Sequence, residues 1–132
     1  MILKGNSRHA MRILIIDDNE LVRRGVKDLI SSETNWEVCG EARDGVEGIG
    51  KARELHPDMV LLDISMPRMN GLDVARILRE ESGQTIILIM SQDDASQLLP
   101  GALAAGADGC LDKSHIGTYL LAAIKNIEAR RD

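Results

Sequence analysis

Short runs of apolar residues recur along the chain at intervals typical of an alternating α/β fold. The clearest runs cover residues 13–16, 59–62 and 86–90, with a weaker run at 38–40 and the weakest at 109–111. Continuous apolar stretches of this length are typical of strands buried on both faces of a sheet. The pattern therefore predicts five strands inside the molecule.

Segments between these runs carry apolar residues every three to four positions, which is the spacing of a helix with one buried face. Local signals support their boundaries. Asp44 is followed three positions later by Glu47, which resembles a capping box, and Ser114 is placed to cap the last helix. We therefore predict five helices that alternate with the five strands. Pro100 falls within the fourth, which we expect to be shortened, shifted or kinked there.

Strands that alternate with helices build βαβ units with right-handed crossovers and a parallel sheet covered on both faces. The length of 132 residues fits one such α/β domain. We assign residues 11–132 to this domain and residues 1–10 to a leader or N-terminal extension. No apolar run approaches the roughly 18 residues that suggest a membrane span, so no membrane association is expected.

The charge and cysteine content narrow the possible functions. The net charge is −5 and the basic residues are scattered, which argues against direct binding of nucleic acid by this chain. Cys39 and Cys110 lie far apart in sequence and form no CxxC pair. This spacing suggests neither a zinc site nor a disulfide framework, so we expect reduced thiols and a cytoplasmic location.

Polar residues follow the predicted strands at the points where those strands end. Asp17 and Asp18 follow the first, Asp63 the third, Ser91 the fourth and Lys113 the fifth. Ligands of open parallel sheets gather at this edge, near the point where the strand order reverses. Helix capping would explain one of the first two acids, but it would not explain the acid after the third strand.

Three carboxylates in one crevice repel each other unless a cation compensates, and Mg²⁺ is the hard cation that prefers such oxygen ligands. A carboxylate can also attack a phosphoryl group and form an acyl phosphate. Asp63 is the candidate nucleophile. Lys113 would pair with one phosphoryl oxygen and the Ser91 hydroxyl would bond another.

These residues resemble the response regulator receiver family over residues 12–131. The motifs are the pair Asp17-Asp18, the stretch DISMPRMNG at 63–71, Ser91, GADG at 106–109 and Lys113. The segment WEVCGEARDGVEG at 36–48 resembles the subfamily that usually carries a C-terminal helix-turn-helix domain. The resemblance implies a flavodoxin-like fold with strand order 2-1-3-4-5 and five helices.

The resemblance also implies a function. Asp63 would be phosphorylated by a sensor histidine kinase or a small phosphodonor, with Mg²⁺ held by Asp17, Asp18, Asp63 and the backbone carbonyl of Ser65. The domain would be a signalling switch whose only chemistry is its own phosphorylation and dephosphorylation. Phosphorylation would promote a homodimer, and DNA would be reached only through an effector domain outside this chain.

Family members use the positions of Ser91 and Lys113 to sense the phosphoryl group and to shift the surface of the fourth helix, fifth strand and fifth helix. The side chains of Ser65 and Asp93 occupy positions that tune the lifetime of the acyl phosphate in the family. Both implications carry over to this chain only as expectations.

Three positions depart from the family pattern. Cys110 replaces the aromatic residue that usually lies three positions before the lysine, and Pro100 lies inside the expected fourth helix. Ser114 stands where a proline often follows the lysine, so the isomer of the Lys113–Ser114 bond stays open, because a cis bond before a non-proline residue costs about 2.5–4 kcal/mol.

Other functions compete with the receiver hypothesis. A haloacid-dehalogenase-like phosphohydrolase also uses an aspartyl nucleophile with Mg²⁺, but it places a second aspartate where this chain has Ser65. The departures at Cys110 and Pro100 suggest a second alternative, an interaction module that works without phosphorylation. A nucleotide-binding Rossmann module is disfavoured, because residues 16–19 replace its glycine-rich turn.

Overall fold

The computed structural model describes residues 10–131, so the expected leader at 1–10 lies almost wholly outside the described residues. The strands are β1 Met11–Ile16, β2 Trp36–Ala42, β3 Met59–Asp63, β4 Ile86–Ser91 and β5 Gly109–Asp112. The helices are α1 Glu20–Ser31, α2 Gly45–Leu55, α3 Gly71–Glu81, α4 Ala95–Ala104 and α5 Ile116–Arg131, with a short 3₁₀ turn at Lys113–His115. Five strands therefore alternate with five helices, as predicted.

The strands form one sheet in the order β2-β1-β3-β4-β5, and every neighbouring pair is parallel. This confirms the predicted fold. The register between β1 and β2 shifts by one residue after Ile13. Ile13 pairs with Val38, whereas Leu14 pairs with Gly40, so Cys39 is skipped. The order reverses between β1 and β3, which places a crevice at the carboxyl ends of these two strands.

The core has two layers because successive strand residues face opposite sides of the sheet. On one side, Leu14, Ile16, Val60 and Leu62 pack with α2, α3 and α4. On the other side, the alternate strand residues pack with α1 and α5; they are Ile13, Ile15, Met59 and Leu61. None of the helices within residues 10–131 is long and apolar enough to cross a membrane.

Side-chain caps begin the helices that follow β1 to β4. Asn19, Asp44, Asn70 and Asp94 each accept a hydrogen bond from a main-chain N–H of the next turn. These bonds satisfy donors that a helix leaves unpaired at its start. Before α5, the capping oxygen belongs to Asp112 and not to Ser114, because the 3₁₀ turn starts one residue before the predicted cap.

Pro100 lies at the sixth of the ten positions of α4 and does not end that helix, which continues for four residues beyond the proline and is the shortest of the five. The proline removes only the bond that its own N–H would give to the preceding turn. Its side chain is exposed, so the ring does not disturb the core.

Candidate functional site

The predicted site residues meet at the carboxyl ends of the strands. Asp17 directly follows β1, Asp63 is the last residue of β3, Ser91 is the last of β4, and Lys113 begins the turn after β5. Parallel pairing brings these ends to one edge of the sheet. The location is the crevice that the strand order specifies.

Asp17, Asp18 and Asp63 form an acidic cluster in which one ligand oxygen from each residue lies within 4.8 Å of the others. Asp17 is fully buried and Asp63 is 3% exposed, whereas Asp18 faces solvent. The arrangement combines two carboxylates shielded from water with one at the entrance. Such a set of oxygens can hold a metal ion.

Lys113 balances part of this negative charge. Its Nζ lies 2.7 Å from Asp17 Oδ2 and 3.2 Å from Asp63 Oδ1, and its side chain is only 9% exposed. One cation against three carboxylates leaves the cluster negative, so an additional cation would still be attracted.

The pKa values of Asp63 and Lys113 are both raised, although burial acts on the two groups in opposite senses. Burial, together with the nearby charge of Asp17, raises the pKa of Asp63 to about 6, although Lys113 and the Ser65 N–H act against the increase. Burial lowers the pKa of Lys113, but the carboxylates of Asp17 and Asp63 outweigh it and hold that pKa above its usual value. Lys113 is therefore charged at neutral pH, while Asp63 keeps its proton longer than an ordinary aspartate.

Asp17 fits the role of a cation ligand. Its Oδ1 accepts a hydrogen bond from the Asn19 N–H at 2.8 Å. Its Oδ2 is buried and accepts no hydrogen bond of good geometry from residues 10–131, so the ion pair with Lys113 is its compensation. A buried carboxylate oxygen with spare acceptor capacity is costly without a positive partner, and a bound cation would supply one.

The loop after Asp63 is held close to the carboxylate. The Ser65 N–H donates to Asp63 Oδ1 at 3.2 Å, and the Gly71 N–H donates to the Ile64 carbonyl at 2.9 Å. A side chain at Gly71 would place its Cβ about 2.5 Å from the Asp63 carbonyl oxygen. Only glycine therefore lets α3 begin this close to the end of β3.

A small cavity of about 220 Å³ opens onto the cluster. Its lining residues are Asp18, Asn19, Asp63, Ser65, Gln92, Asp93 and Lys113. Ser91 lies at the neighbouring strand end but is 1% exposed and does not line the cavity; its Oγ accepts a hydrogen bond from the Asp93 N–H at 3.0 Å. A larger groove of about 1370 Å³ lies at the opposite end of the sheet and contains none of the predicted site residues.

The sequence was compared with known families. The family described as "Response regulator receiver domain" matches residues 13–125. The chain belongs to this family.

Curated receiver proteins and solved structures place the domain within the family. It is 43% identical over 117 residues to the nitrate/nitrite response regulator protein NarL of Escherichia coli, covering 89% of this chain and 54% of that protein. It is 42% identical over 99 residues to a protein-glutamate methylesterase/protein-glutamine glutaminase of Pyrococcus abyssi, covering 74% of this chain and 27% of that protein. The chain thus spans about half the length, or less, of these curated relatives.

A two-component response regulator of the LuxR family from Aurantimonas sp. has a similar structure, with a TM-score of 0.85 and 34% identity over 91% of this chain and 86% of that chain. With the NarL similarity, this confirms the resemblance to the subfamily with a C-terminal helix-turn-helix domain. The chain is therefore the receiver domain of a NarL-like two-component response regulator.

The receiver domain departs from the family pattern at the three positions noted in the sequence. Cys110 is a half-buried thiol on β5 that packs against the core layer under α4, and burial raises its pKa. Every peptide bond within residues 10–131 is trans, including Lys113–Ser114. The strand that leads to Lys113 therefore carries a small apolar side chain where the family usually has an aromatic ring.

Three residues near the acidic cluster were not predicted from the sequence. Asn19 and Gln92 line the cavity, and Arg23 donates a hydrogen bond to the main-chain carbonyl of Asp17. Asn19 had a signal, because it directly follows the two aspartates before a helix. Arg23 had none, since a basic residue in an amphipathic helix usually belongs to the solvated face.

Proposed function

We propose that this receiver domain accepts a phosphoryl group on Asp63, in a reaction that requires Mg²⁺, from the phosphohistidine of a sensor kinase or from a small phosphodonor. The observation that carries the proposal is the Asp63 carboxylate itself. It is buried beside two further aspartates and a lysine, at the mouth of a cavity. Receiver domains of response regulators interact with kinases, which supports a kinase as the donor.

The geometry suggests a role for each oxygen of Asp63. Oδ1 accepts the Ser65 N–H and lies beside Lys113, so these contacts orient the carboxylate. Oδ2 is the nucleophile in this proposal: it forms a bond to phosphorus while the bond from phosphorus to the donor nitrogen breaks, and the histidine leaves with that electron pair. Phosphoryl transfer needs mainly alignment and charge stabilisation, which such a site can supply.

Mg²⁺ would be held by Asp17, Asp18, Asp63 and the backbone carbonyl of Ser65, and it would offset the repulsion between the carboxylates and the incoming phosphoryl oxygens. Lys113 would leave part of its present pairing to contact a phosphoryl oxygen. Ser91 would donate a hydrogen bond from its hydroxyl to another phosphoryl oxygen, while its Oγ accepts the Asp93 N–H as it does now. The side chains of Ser65 and Asp93, at the rim of the cavity, would set how fast water reaches the acyl phosphate.

The test is incubation of the protein with acetyl phosphate and Mg²⁺, followed by intact-mass measurement. We expect one added phosphoryl group, none with chelator, and none in Asp63→Asn. Asp73→Asn is the matched control, since Asp73 is an exposed aspartate on α3 that pairs with the nearby Arg76. A gain that persists in Asp63→Asn, or no gain in the parent protein, would reject the proposal.

The same assay separates the alternatives. Sustained turnover of a phosphomonoester would favour a phosphohydrolase, although Ser65 supplies a backbone N–H to Asp63 where that class has a second acid. Stable phosphorylation of the protein without turnover of a phosphomonoester favours the signalling switch. In that hypothesis the protein catalyses nothing beyond its own phosphorylation and dephosphorylation.

We further propose that the signal leaves through an effector domain that binds DNA, because the chain spans 54% of the NarL protein that it resembles. The domain would act in the cytoplasm and form a homodimer when phosphorylated. Light scattering with and without beryllofluoride tests the dimer. A monomer in both states would favour an interaction module that does not depend on phosphorylation.

A further inference from the structure

Arg23 connects the acidic cluster to the neighbouring strand and helix. Its side chain on α1 is only 11% exposed. Its Nη1 donates to the Asp17 main-chain oxygen at 2.7 Å, and its Nε donates to Glu41 Oε1 on β2 at 3.0 Å. One guanidinium thus connects α1, β2 and the residue that directly follows β1.

The carbonyl that Arg23 holds belongs to the peptide plane between Asp17 and Asp18. Because this plane is rigid, the orientation of its oxygen fixes the direction in which the chain enters Asp18. The Asp17 N–H is separately held by the Ala42 carbonyl at 3.0 Å. The backbone of Asp17 is therefore fixed on both sides, while the carboxylate of exposed Asp18 depends on the peptide before it.

Glu41 anchors the other end of the guanidinium. Lys27 Nζ donates to Glu41 Oε2 at 2.8 Å, so the two carboxylate oxygens bond two different cations. The hydrogen bond from Lys27 and that from Arg23 hold the pKa of Glu41 below its usual range, although burial acts against them. Glu41 is therefore charged at neutral pH and holds Arg23 in one orientation.

We propose that Arg23 is a positioning residue for the metal site: by holding the Asp17 carbonyl it directs the carboxylates of Asp17 and Asp18 towards the same ion. This inference rests on the proposed function. It also predicts that removal of Arg23 changes the metal affinity in the direction opposite to that expected from charge alone. Removing a cation near an acidic cluster should tighten metal binding through the field alone, whereas loss of positioning should weaken it.

The test measures binding of Mn²⁺ alone to the whole protein, from the electron paramagnetic resonance signal of the free ion. We expect Arg23→Ala to bind about tenfold more weakly, as loss of one charge-assisted hydrogen bond would give. Arg23→Lys should fall between the parent and Arg23→Ala, because a single ammonium cannot bridge both acceptors. It is also the second variant if Arg23→Ala fails to fold.

A matched control removes a positive charge from the same helix without touching this network. Arg24→Ala loses an exposed ion pair with Glu20. It should stay within about twofold of the parent affinity. The midpoint of thermal unfolding without metal is recorded for all variants. If Arg23 had only a structural role, its substitution would change this midpoint without changing the affinity for Mn²⁺.

Unchanged or tighter Mn²⁺ binding by the folded Arg23 variants would overturn the inference. Equal weakening in Arg24→Ala would overturn it as well, since the effect would then follow charge and not contact. If the parent protein binds no Mn²⁺, the proposed function fails and the inference fails with it. If the parent binds Mn²⁺ and the Arg23 variants bind it as tightly as the parent does, the inference fails while the proposed function stands.

Discussion

The acidic cluster and the α4–β5 side of the sheet are secured by different kinds of interaction. At the cluster, Asp17 and Asp63 are buried and are held by ion pairs with Lys113 and by main-chain hydrogen bonds. On the α4–β5 side, contact with the core is apolar, and few side chains of α4 are buried. Ala102 is the one buried residue of α4, while Leu99 and Leu103 are exposed.

This difference indicates how each of the two regions responds to substitution. A buried charge site depends on exact compensation, so removing one charge leaves others unpaired at high cost. Where few apolar side chains are buried, each substitution changes the stability only a little, because each side chain contributes little. We therefore expect substitutions in the cluster to have large, ion-dependent effects, and substitutions in α4 to have small effects that do not depend on ions.

The largest effect is expected from Lys113→Met, which leaves two buried carboxylates without their cation. We predict that the free energy of unfolding falls by about 3 kcal/mol without metal, as measured by urea denaturation. Mg²⁺ should restore part of the loss. Lys125→Met is the matched control: this exposed lysine pairs with Glu33 at 3.7 Å and should cost less than about 1 kcal/mol. Equal stability of Lys113→Met and the parent would remove the contrast between the two regions.

The next effect concerns the pH dependence of Asp63. Its pKa is about 6 when folded against an ordinary value of 3.8. The folded state thus holds the proton to higher pH, and the resulting stabilisation is complete below the unfolded pKa and is lost as pH rises through about 6.

Asp63→Asn removes the cost of ionising this buried group. Without metal, we expect the variant to be about 2 kcal/mol more stable than the parent at about pH 8, with no difference near pH 4. Mg²⁺ should reduce the gap by stabilising the parent. Asp73→Asn, at an exposed site, should show no such pH dependence. A variant no more stable than the parent at high pH would contradict the described electrostatics.

The smallest effect is expected in α4. Pro100→Ala restores a helix hydrogen bond and should raise the free energy of unfolding by about 1 kcal/mol. Gly101→Ala is the matched change, since a Cβ there meets nothing within 4 Å, and it should add about 0.5–1 kcal/mol. The rate of Asp63 phosphorylation should change by less than about twofold in both α4 variants. A larger change would show that α4 and the acidic cluster are tightly coupled.

Much of the fold could be predicted because its signals are local. The central strands β1, β3 and β4 are buried along continuous apolar runs, and the capping pair Asp44–Glu47 forms the predicted bond from the Glu47 N–H to Asp44. The clustering of strand-end residues followed from the rule for parallel sheets. The sequence therefore indicated the neighbourhood of Asp17, Asp63 and Lys113 without any coordinates.

Features that depend on side-chain orientation could not be predicted. Ser91 lies at the expected strand end, but its Oγ accepts a hydrogen bond from the Asp93 N–H and its side chain does not line the cavity. Arg23 reaches the Asp17 carbonyl from a helix whose periodicity says nothing about which polar residue turns inward. Pro100 suggested that α4 would be shortened, shifted or kinked; α4 is the shortest of the five helices, yet it continues past the proline.

The most direct test of the central claim identifies the residue that carries the phosphoryl group. The protein is phosphorylated with acetyl phosphate and Mg²⁺ and then reduced with borohydride, which converts an aspartyl phosphate to homoserine. Peptide mapping should find homoserine at position 63 alone. Homoserine at Asp17 or Asp18, or at none of the three cluster positions, would contradict the account.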